Sequence, residues 1–230
     1  MSKLSVIIPM LNEASTIGKL LEHLQTETHS INDIEIIVVD GGSSDDSIKI
    51  ANSFKNIHVI QSGKGRAKQM NAGAEAANGK VLYFLHADSI PPNSYDQLIL
   101  QEVEQGNLAG CFRLKFDHDH WWLKLAGWLT RFRWRACRGG DQSQFITREL
   151  FNDIGGFDER YIIYEDNDLI NKLYARKQFV VIQECIQTSA RCYERHGIWK
   201  LQYHFWAIYV KKWLGASPES LHAYYKKKIA

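Results

Sequence analysis

The most informative absence in this 230-residue sequence is a glycine-rich phosphate-binding loop. A dinucleotide-binding domain needs Gly-x-Gly-x-x-Gly directly after its first strand, but the first hydrophobic run, at 4–9, is followed by Met-Leu-Asn-Glu, without a glycine. Gly63-Lys64-Gly65 is a partial match, but it follows the third predicted strand and has Lys68 where the last glycine belongs. There is no Gly-x-x-x-x-Gly-Lys-Ser/Thr loop either. These absences argue against NAD, FAD and P-loop nucleotide sites.

Cysteine pairs, long apolar runs and an excess of one charge are also missing. The four cysteines form no Cys-x-x-Cys pair, which is typical of reduced thiols in a cytoplasmic protein. No window approaches the roughly 20 apolar residues of a transmembrane helix, and no signal-peptide hydrophobic region opens the chain. With 28 basic and 26 acidic residues, no global field favours nucleic acid. We therefore expect a cytoplasmic protein that forms one compact unit and does not bind nucleic acid.

What the sequence does contain is an alternation of short hydrophobic runs with segments of helical period. Strands are predicted over 4–9, 34–39, 57–60 and 81–85, with intervening helices that start after Asn12, start after Ser44 and span 68–78. This order predicts βαβ units and a parallel sheet with right-handed crossovers. The second half predicts helices over 95–104, 121–134, 148–154, 165–177 and 198–214, and strands over 110–116, 144–147 and 179–182.

Polar side chains follow the first four predicted strands, at the sheet edge where open α/β folds bind ligands. Asp40 is suited to accept a hydrogen bond from a nucleobase, and Lys64 and Arg66 to neutralise phosphate oxygens. Asp88, just before Pro91-Pro92, is suited to hold Mg²⁺ or Mn²⁺ together with a diphosphate. The residues of this row are, in chain order, Asn12, Glu13, Asp40, Lys64, Arg66, Gln69, Asn71, His86 and Asp88.

Several motifs in a fixed order resemble those of family 2 glycosyltransferases. They are Val-Ile-Ile-Pro-Met-Leu-Asn-Glu at 6–13, Val-Val-Asp-Gly-Gly-Ser-Ser-Asp at 38–45, His-Ala-Asp at 86–88, Gly-Asp-Gln at 140–142, Ile-Gly-Gly-Phe at 154–157 and Glu-Asp-Asn-Asp-Leu at 165–169. Thr-Ser-Ala-Arg at 188–191 and Gly-Ala-Ser-Pro-Glu at 215–219 resemble a small soluble subgroup labelled arsenosugar-biosynthesis or selenodomain-associated. The resemblance implies an α/β GT-A fold with a mixed, mainly parallel sheet flanked by helices. It implies one GT-A domain over 1–197, with a nucleotide-binding half (1–92) and an acceptor half (93–197), and a helical extension over 198–230.

The resemblance also assigns residues to a donor site. It implies that Pro9, Glu13 and Asp40 line the nucleoside pocket, that Arg66 and Gln69 lie close to the donor, and that His86-Ala87-Asp88 stands at the metal-binding D-x-D motif. His86 departs from that motif because it occupies the position of the first aspartate. Binding of Mn²⁺ or Mg²⁺ is therefore expected to rest on Asp88. His86 is a second ligand, a water-mediated contact or a packing residue.

On the acceptor side, Glu165-Asp166 resembles the family's E-D motif, in which one carboxylate is the general base. We expect Asp166 to be the base, with Glu165 and Asp168 as alternatives. Taken alone, the three acids would only favour a helix N-terminus. Asp141 and Gln142 are expected on a mobile loop beside the acceptor, and Arg191 is expected to close over the phosphates.

The predicted function is an inverting, metal-dependent transfer of a sugar from a UDP- or GDP-type donor to a hydroxyl of a small soluble acceptor. Two alternatives stay open: a peripheral membrane enzyme with a polyprenyl-phosphate or other lipid acceptor, and a non-catalytic nucleotide-sugar-binding protein. The aromatic segment around Trp199–Trp213 bears on this choice, because it either buries its rings against the sheet or a homodimer partner or lies on a membrane surface.

Overall fold

The computed structural model describes residues 3–229, which form eight strands and ten helices. The strands are β1 (Leu4–Met10), β2 (Ile34–Asp40), β3 (Ile57–Gln61), β4 (Val81–Phe84), β5 (Ser89–Ile90), β6 (Ala109–Phe116), β7 (Gln144–Thr147) and β8 (Val180–Thr188). The helices are α1 (Ile17–Thr26), α2 (Ser47–Asn52), α3 (Arg66–Ala76), α4 (Tyr95–Glu104), α5 (Trp121–Leu129), α6 (Arg148–Asp153), α7 (Glu165–Ala175), α8 (Arg191–His196), α9 (Ile198–Trp213) and α10 (Pro218–Lys228). The predicted domain ends at 1 and 230 lie outside the described residues.

All eight strands form one mixed sheet in the order β3-β2-β1-β4-β7-β6-β8-β5. Strands β3, β2, β1 and β4 are parallel, as is the pair β6–β8, whereas β7 runs antiparallel to both of its neighbours and β5 is antiparallel to β8. The predicted α/β class with a mixed, mainly parallel sheet is therefore confirmed. The parallel half brings the ends of β1, β2 and β4 to one edge.

The sheet is covered by helices on both faces, which explains why its central strands are continuous hydrophobic runs. Helices α1, α2 and α4 pack on one face, around Leu20, Leu24 and Ile99. Helices α3, α6 and α7 pack on the other, around Met70, Phe151 and Leu173. Helix α3 approaches β1 closely at Gly73, where an added Cβ would lie 2.4 Å from Cγ2 of Ile7.

Four local predictions were wrong. Asn12 does not cap the first helix, because α1 begins at Ile17 after Thr16, and Asn12 has a left-handed backbone with φ of 56°. Ser44 likewise lies outside α2, which begins at Ser47. Helix α5 ends at Leu129 rather than at 134, and residues 135–137 form a separate 3₁₀ turn. Strand β8 continues six residues beyond 182, to Thr188, because it pairs with both β6 and β5.

The C-terminal helices α9 and α10 pack on each other and on the segment before α7. Leu201 and Ile208 of α9 and Leu221 of α10 are buried in a cluster with Tyr161. The opposite side of α9 stays exposed, so the aromatic segment does not bury all its rings against the sheet. Among residues 3–229, no helix has the length and apolar character needed to cross a bilayer. The division into a 1–197 domain with two halves and an extension from 198 stays a prediction.

Candidate active site

The stretch at 86–88 is held in place where β4 ends. The amide of Leu85 still donates to the carbonyl of Ile7 in β1, at 3.0 Å. Directly after Asp88, Ser89 begins β5 and pairs with Thr188 of β8, and their buried hydroxyl groups lie 2.8 Å apart. The amide of Ser189 donates to the backbone carbonyl of Asp88 at 3.2 Å. Asp88 is therefore fixed between two strands from different parts of the sheet.

A cavity of about 1050 Å³ opens at this edge. Its lining includes the following sequence-predicted residues, most of them polar: Pro9, Glu13, Arg66, His86, Ala87, Asp88, Asp141, Gln142, Glu165, Asp166 and Arg191. Its apolar part is formed by α5 and α9, through residues such as Trp122, Leu129 and Phe205. A cavity of this size, with carboxylates converging on one end, can hold a nucleotide-sized ligand.

The loops after β1 and β2 are joined by side-chain hydrogen bonds. Asp40 is buried, and its carboxylate accepts from the amides of Gly42 and Ser43, at 2.8 and 3.1 Å. The amide of Asn12 donates to Oγ of Ser43 at 2.9 Å, and Oδ1 of Asn12 accepts from the amide of Ser44 at 2.8 Å. Asp40 and Asn12 therefore shape the strand-end loops, and neither lines the cavity described above.

Gln69 and Gln142 are also bound within the fold. Nε2 of Gln69 donates to the carbonyls of Met10 and Val39, at 2.9 and 2.7 Å, so this buried amide ties the ends of β1 and β2 together. Nε2 of Gln142 donates to the carbonyl of Cys137 at 3.1 Å. Gln69 does not line the cavity, and Lys64 is exposed and does not line it either.

Arg191 bridges two of the predicted donor-site carboxylates. Its guanidinium contacts the carboxylate of Glu13 through both terminal nitrogens, at 2.5 and 2.8 Å. Nη2 of Arg191 also lies 3.2 Å from Oδ2 of Asp88. A cation therefore stands between the end of β1 and the end of β4. Arg191, which was predicted on the acceptor side, thus contacts two carboxylates predicted for the donor side. Its expected closure over phosphates stays a prediction.

His86 lies between two further carboxylates. Nδ1 is 3.8 Å from Oδ1 of Asp141, and Nε2 is 3.7 Å from Oδ2 of Asp166. Both distances are too long for hydrogen bonds. Burial and the nearby charge of Arg66 lower the pKa of His86 to about 3. The imidazole is therefore neutral, the form that has a lone pair for a metal or a proton.

The pair Glu165-Asp166 begins α7 inside the cavity wall, where burial disfavours charge. Burial raises the pKa of Asp166 to about 8, assisted by the neighbouring Glu165, while Arg66 opposes the shift. Burial also raises the pKa of Glu165, whose Oε1 lies 3.5 Å from Nη1 of Arg66 and whose Oε2 is buried without a hydrogen-bond partner. A pKa near neutrality is what a general base needs.

Gly140 packs directly against the carboxylate of Asp166. A Cβ added at Gly140 would stand 1.9 Å from Oδ2, whereas one added at Gly139 would meet nothing within 4 Å. Only a residue without a side chain allows this approach of the 3₁₀ turn at Gly140–Gln142. This support for Asp166 was not predicted from the sequence, in which Gly139-Gly140 indicates only a turn.

The donor set fits a divalent metal only if a ligand supplies part of the coordination. Within 3–229, no group of three His, Cys, Asp or Glu side chains is placed to hold a metal ion by itself. Burial and the nearby Asp141 raise the pKa of Asp88, so added positive charge would relieve this carboxylate. Mg²⁺ and Mn²⁺ are commonly bound through one or two carboxylates plus substrate phosphates. Asp88, with His86 as a neutral neighbour, fits that requirement.

Sequence reasoning missed the apolar wall of the cavity. Trp122, Ala126 and Leu129 of α5 line it, at a spacing that places them on one helix face. On the other side it is lined by residues of α9, among them Gln202, Phe205 and Tyr209. The available signal was this three- and four-residue spacing, which by itself also describes an ordinary core helix.

Comparison with known proteins gives consistent matches. A sequence profile described as Glycosyl transferase family 2 matches residues 5–176. The chain is 27% identical, over 99% of its length and 73% of the relative's, to a glycosyltransferase of Escherichia coli K12 named YibD. It is 29% identical, over 76% of its length and 71% of the relative's, to a PGL/p-HBAD biosynthesis glycosyltransferase of Mycobacterium bovis BCG.

Two solved structures share the fold. Residues 1–349 of Staphylococcus aureus TarS in complex with UDP match with a TM-score of 0.70 at 18% identity, over 82% of this chain and 60% of that one. The mannosyltransferase PcManGT of Pyrobaculum calidifontis, in complex with GDP-Man and Mn²⁺, matches with a TM-score of 0.70 at 18% identity, over 97% of this chain and 69% of that one. The chain thus spans about three-fifths of the TarS fragment.

Proposed function

Because the chain belongs to glycosyltransferase family 2, we propose that it transfers a sugar from a nucleotide-diphospho-sugar to an acceptor hydroxyl, with inversion at the anomeric carbon. The solved relatives hold UDP or GDP-Man with Mn²⁺, which supports a UDP- or GDP-type donor. Assignment to the arsenosugar or selenodomain subgroup, a cytoplasmic location and a homodimer through α9 stay predictions from the sequence.

One observation carries the proposal: the metal motif and the candidate base line the same cavity. His86 and Asp88 stand at the end of β4, and Asp166 begins α7, yet Nε2 of His86 and Oδ2 of Asp166 are 3.7 Å apart. A displacement reaction needs the leaving group and the base to reach one anomeric carbon from opposite sides, and the cavity of about 1050 Å³ that all three residues line has room for that carbon. A non-catalytic binding protein would have no need for a buried carboxylate with a pKa near neutrality beside its ligand.

The proposed reaction is a single displacement. Asp166 accepts the proton of the acceptor hydroxyl as that oxygen forms its bond to the anomeric carbon. The bond from this carbon to the diphosphate oxygen breaks, and the diphosphate leaves with the electron pair. Arg66, half-exposed at the start of α3, is placed to balance negative charge at the site. Glu165 pairs with Arg66 at 3.5 Å, which leaves Asp166 as the proposed base.

Asp88 would hold the divalent metal together with the donor diphosphate, and His86 would contribute a neutral nitrogen. When bound, such an ion supplies charge stabilisation for the departing diphosphate. Arg191 is already at Asp88, so donor binding would have to move this guanidinium from the carboxylates to the phosphate oxygens. The site carries less negative charge than one with two aspartates in the motif, so metal binding without nucleotide is expected to be weak.

The test is a thermal-unfolding screen of UDP-, GDP- and TDP-sugars, each with and without Mn²⁺, followed by detection of the released nucleoside diphosphate. A ligand at a hundredfold excess over its Kd stabilises the folded chain by about 2.7 kcal/mol. We expect one donor class to raise the melting temperature only with the metal present. If no nucleotide sugar shifts it under either condition, the proposed donor site is wrong.

Two variants separate binding from chemistry. Asp88→Asn should lose the metal-dependent part of the shift, whereas Asp166→Asn should keep the shift and lose turnover. Asp153→Asn, which removes a surface carboxylate from α6, is the matched control and should behave like the wild type. Unchanged turnover in both Asp88→Asn and Asp166→Asn would sink the catalytic assignment.

A further inference from the structure

Two segments of the chain combine basic and aromatic residues and lack acidic ones. Between Asp119 and Asp141 there are five Lys or Arg residues and no Asp or Glu. Between Glu194 and Glu219 there are four, again without an acid. Since the formal net charge of the whole chain is only +2, the rest of the chain is net negative. The positive charge is concentrated in the segments that contain α5 and α9.

Helix α9 is apolar on two opposite faces. Leu201 and Ile208 face inward and are buried. The outward face has its own apolar stripe at alternating spacings of four and three residues, which places the side chains in one row along the helix. The members of this row are Trp199, Tyr203, Trp206, Val210 and Trp213, and they are between 48% and 84% exposed.

The exposed row continues onto α5 through tilted and edge-to-face ring contacts. The ring of Trp199 lies 5.7 Å from that of Trp121 and 5.4 Å from that of Trp122. Trp122 in turn contacts Trp206 at 5.9 Å. Trp121 is 59% exposed. We call the exposed set the aromatic platform: Trp121, Trp199, Tyr203, Trp206, Val210 and Trp213.

The platform adjoins the candidate active site. Trp206 belongs to the platform and also lines the cavity that contains Asp88 and Asp166. Trp122, which contacts the platform from α5, lines the same cavity. A surface that covers the platform would therefore lie beside the apolar side of the cavity.

We propose that the aromatic platform docks on an anionic lipid surface and sets the active-site cavity against the membrane. Rings of Trp and Tyr with Lys beside them are the side chains that favour the boundary between water and lipid. Lys200 and Lys211 of α9 are exposed and follow Trp199 and Val210 of the platform in the sequence, and basic residues close to an anionic bilayer strengthen the attraction.

The charge pattern favours lipid over a second copy of the chain. A homodimer through α9 would bring together two copies of a helix that contains Lys200, Lys211 and Lys212 and no acidic residue, whereas anionic head groups would neutralise these charges. Because this docking extends the proposed function, it favours the lipid-held acceptor left open by the sequence over a small soluble one.

The experiment is co-sedimentation of the full chain with vesicles of phosphatidylcholine alone or mixed with phosphatidylglycerol. We expect binding to the mixed vesicles that weakens with salt. Lys200→Gln should weaken binding by about fivefold. Lys55→Gln is the matched control, because this exposed lysine lies before β3, at the opposite edge of the sheet from the cavity, and should leave binding unchanged.

The apolar part is tested by the double substitution Trp213→Ser with Val210→Ser, which should weaken binding by roughly tenfold or more. Ile31→Ser removes an exposed apolar side chain before β2 and is the control. The melting temperature of each variant, measured without lipid and with nucleotide sugars added, reports whether the variant is folded and binds the donor. Loss of donor binding with vesicle binding intact would count against the proposed function alone.

Three results would overturn the docking. The wild type does not bind the mixed vesicles, the double variant binds them as strongly as the wild type, or binding changes neither with Lys200→Gln nor with salt. Sedimentation velocity tests whether a second copy of the chain covers the platform instead. A dimer that the double variant dissociates, together with no vesicle binding, would make the platform an interface between copies.

Discussion

Asp166→Asn should stabilise the protein while it abolishes transfer. The carboxylate is 7% exposed, and burial together with Glu165 raises its pKa from 3.8 to about 8. The substitution keeps the shape of the side chain and removes the charge that the folded state disfavours. A residue held at a cost to stability for its chemistry should show both effects in one variant.

The sign and the size of the expected change in stability follow from the linkage between protonation and folding. Because the folded pKa lies above the unfolded one, folding favours the protonated carboxyl, and its contribution is fully present below pH of about 4. Between pH of about 4 and about 8 the carboxyl ionises in the unfolded chain but not in the folded one, so this contribution is progressively lost. Above pH of about 8 the carboxyl is ionised in both states, and the free energy of unfolding no longer changes through this group. One pKa unit corresponds to about 1.4 kcal/mol, so ionisation in the unfolded chain costs folding on the order of 4 kcal/mol at pH 7. With local contacts altered by the new amide, we expect a net gain of about 2–3 kcal/mol.

The assay is urea-induced unfolding of the wild type and the variant at pH 4.5 and pH 7. The stability gain should be present at pH 7 and nearly absent at the lower pH. Asp168→Asn, in the same helix turn, is the matched control: it removes a charge that pairs with Lys172 at 3.3 Å, so it should lower stability by up to about 1 kcal/mol. Turnover of Asp166→Asn should fall by about 10²–10⁴-fold. If Asp166→Asn is less stable than the wild type at pH 7, or changes stability equally at the two pH values, Asp166 is not a buried carboxyl with a raised pKa.

Three further substitutions test neighbouring contacts. Gly140→Ala must displace the carboxylate of Asp166 and should reduce turnover by at least about tenfold, while Gly139→Ala, with open space around it, should not; equal turnover in the two would contradict the packing. Gln69→Leu removes a buried amide donor from the carbonyls of Met10 and Val39, of which the Met10 carbonyl keeps a bond from the amide of Gly41, and should cost about 1–3 kcal/mol in urea unfolding. A change near zero would mean that water replaces the amide. Arg191→Ala removes the guanidinium from the carboxylates of Glu13 and Asp88. The affinity for Mn²⁺ in the absence of nucleotide, measured by calorimetry, should therefore rise by about two- to fivefold. A lower affinity would mean that the guanidinium supports the metal site rather than competes with the metal.

The meeting of polar residues at one edge of the sheet was predictable, because that edge is built from the ends of neighbouring strands. β1, β2 and β4 are runs of Val, Ile, Leu and aromatic residues buried on both faces, and parallel pairing then brings their carboxyl ends together. Glu13, Asp88 and Arg66 follow from that rule, and all three line the cavity.

Individual roles were less predictable, because a polar side chain at a strand end has two uses. Asn12 and Ser44 looked like helix caps, yet they bond to each other across the loops after β1 and β2. Asp40 and Gln69 meet backbone groups of the same loops. The sequence pattern places such residues at the edge, but whether an oxygen faces the ligand or the loop depends on backbone angles that only the folded chain sets.

The apolar wall of the cavity depends on contacts between distant segments of the chain. The indole nitrogen of Trp122 donates to Oε1 of Gln202 at 3.1 Å, a bond that joins α5 to α9 across 80 residues of sequence. Each helix alone has the spacing of an ordinary apolar helix, and nothing local distinguishes a ring that lines a cavity from one that fills a core. What the two helices share in the sequence is that basic residues occur in both segments and acidic residues in neither. Acceptor choice is therefore expected to depend on the contact between α5 and α9, and exchanging residues there should alter acceptor selectivity without altering the response to nucleotide and metal.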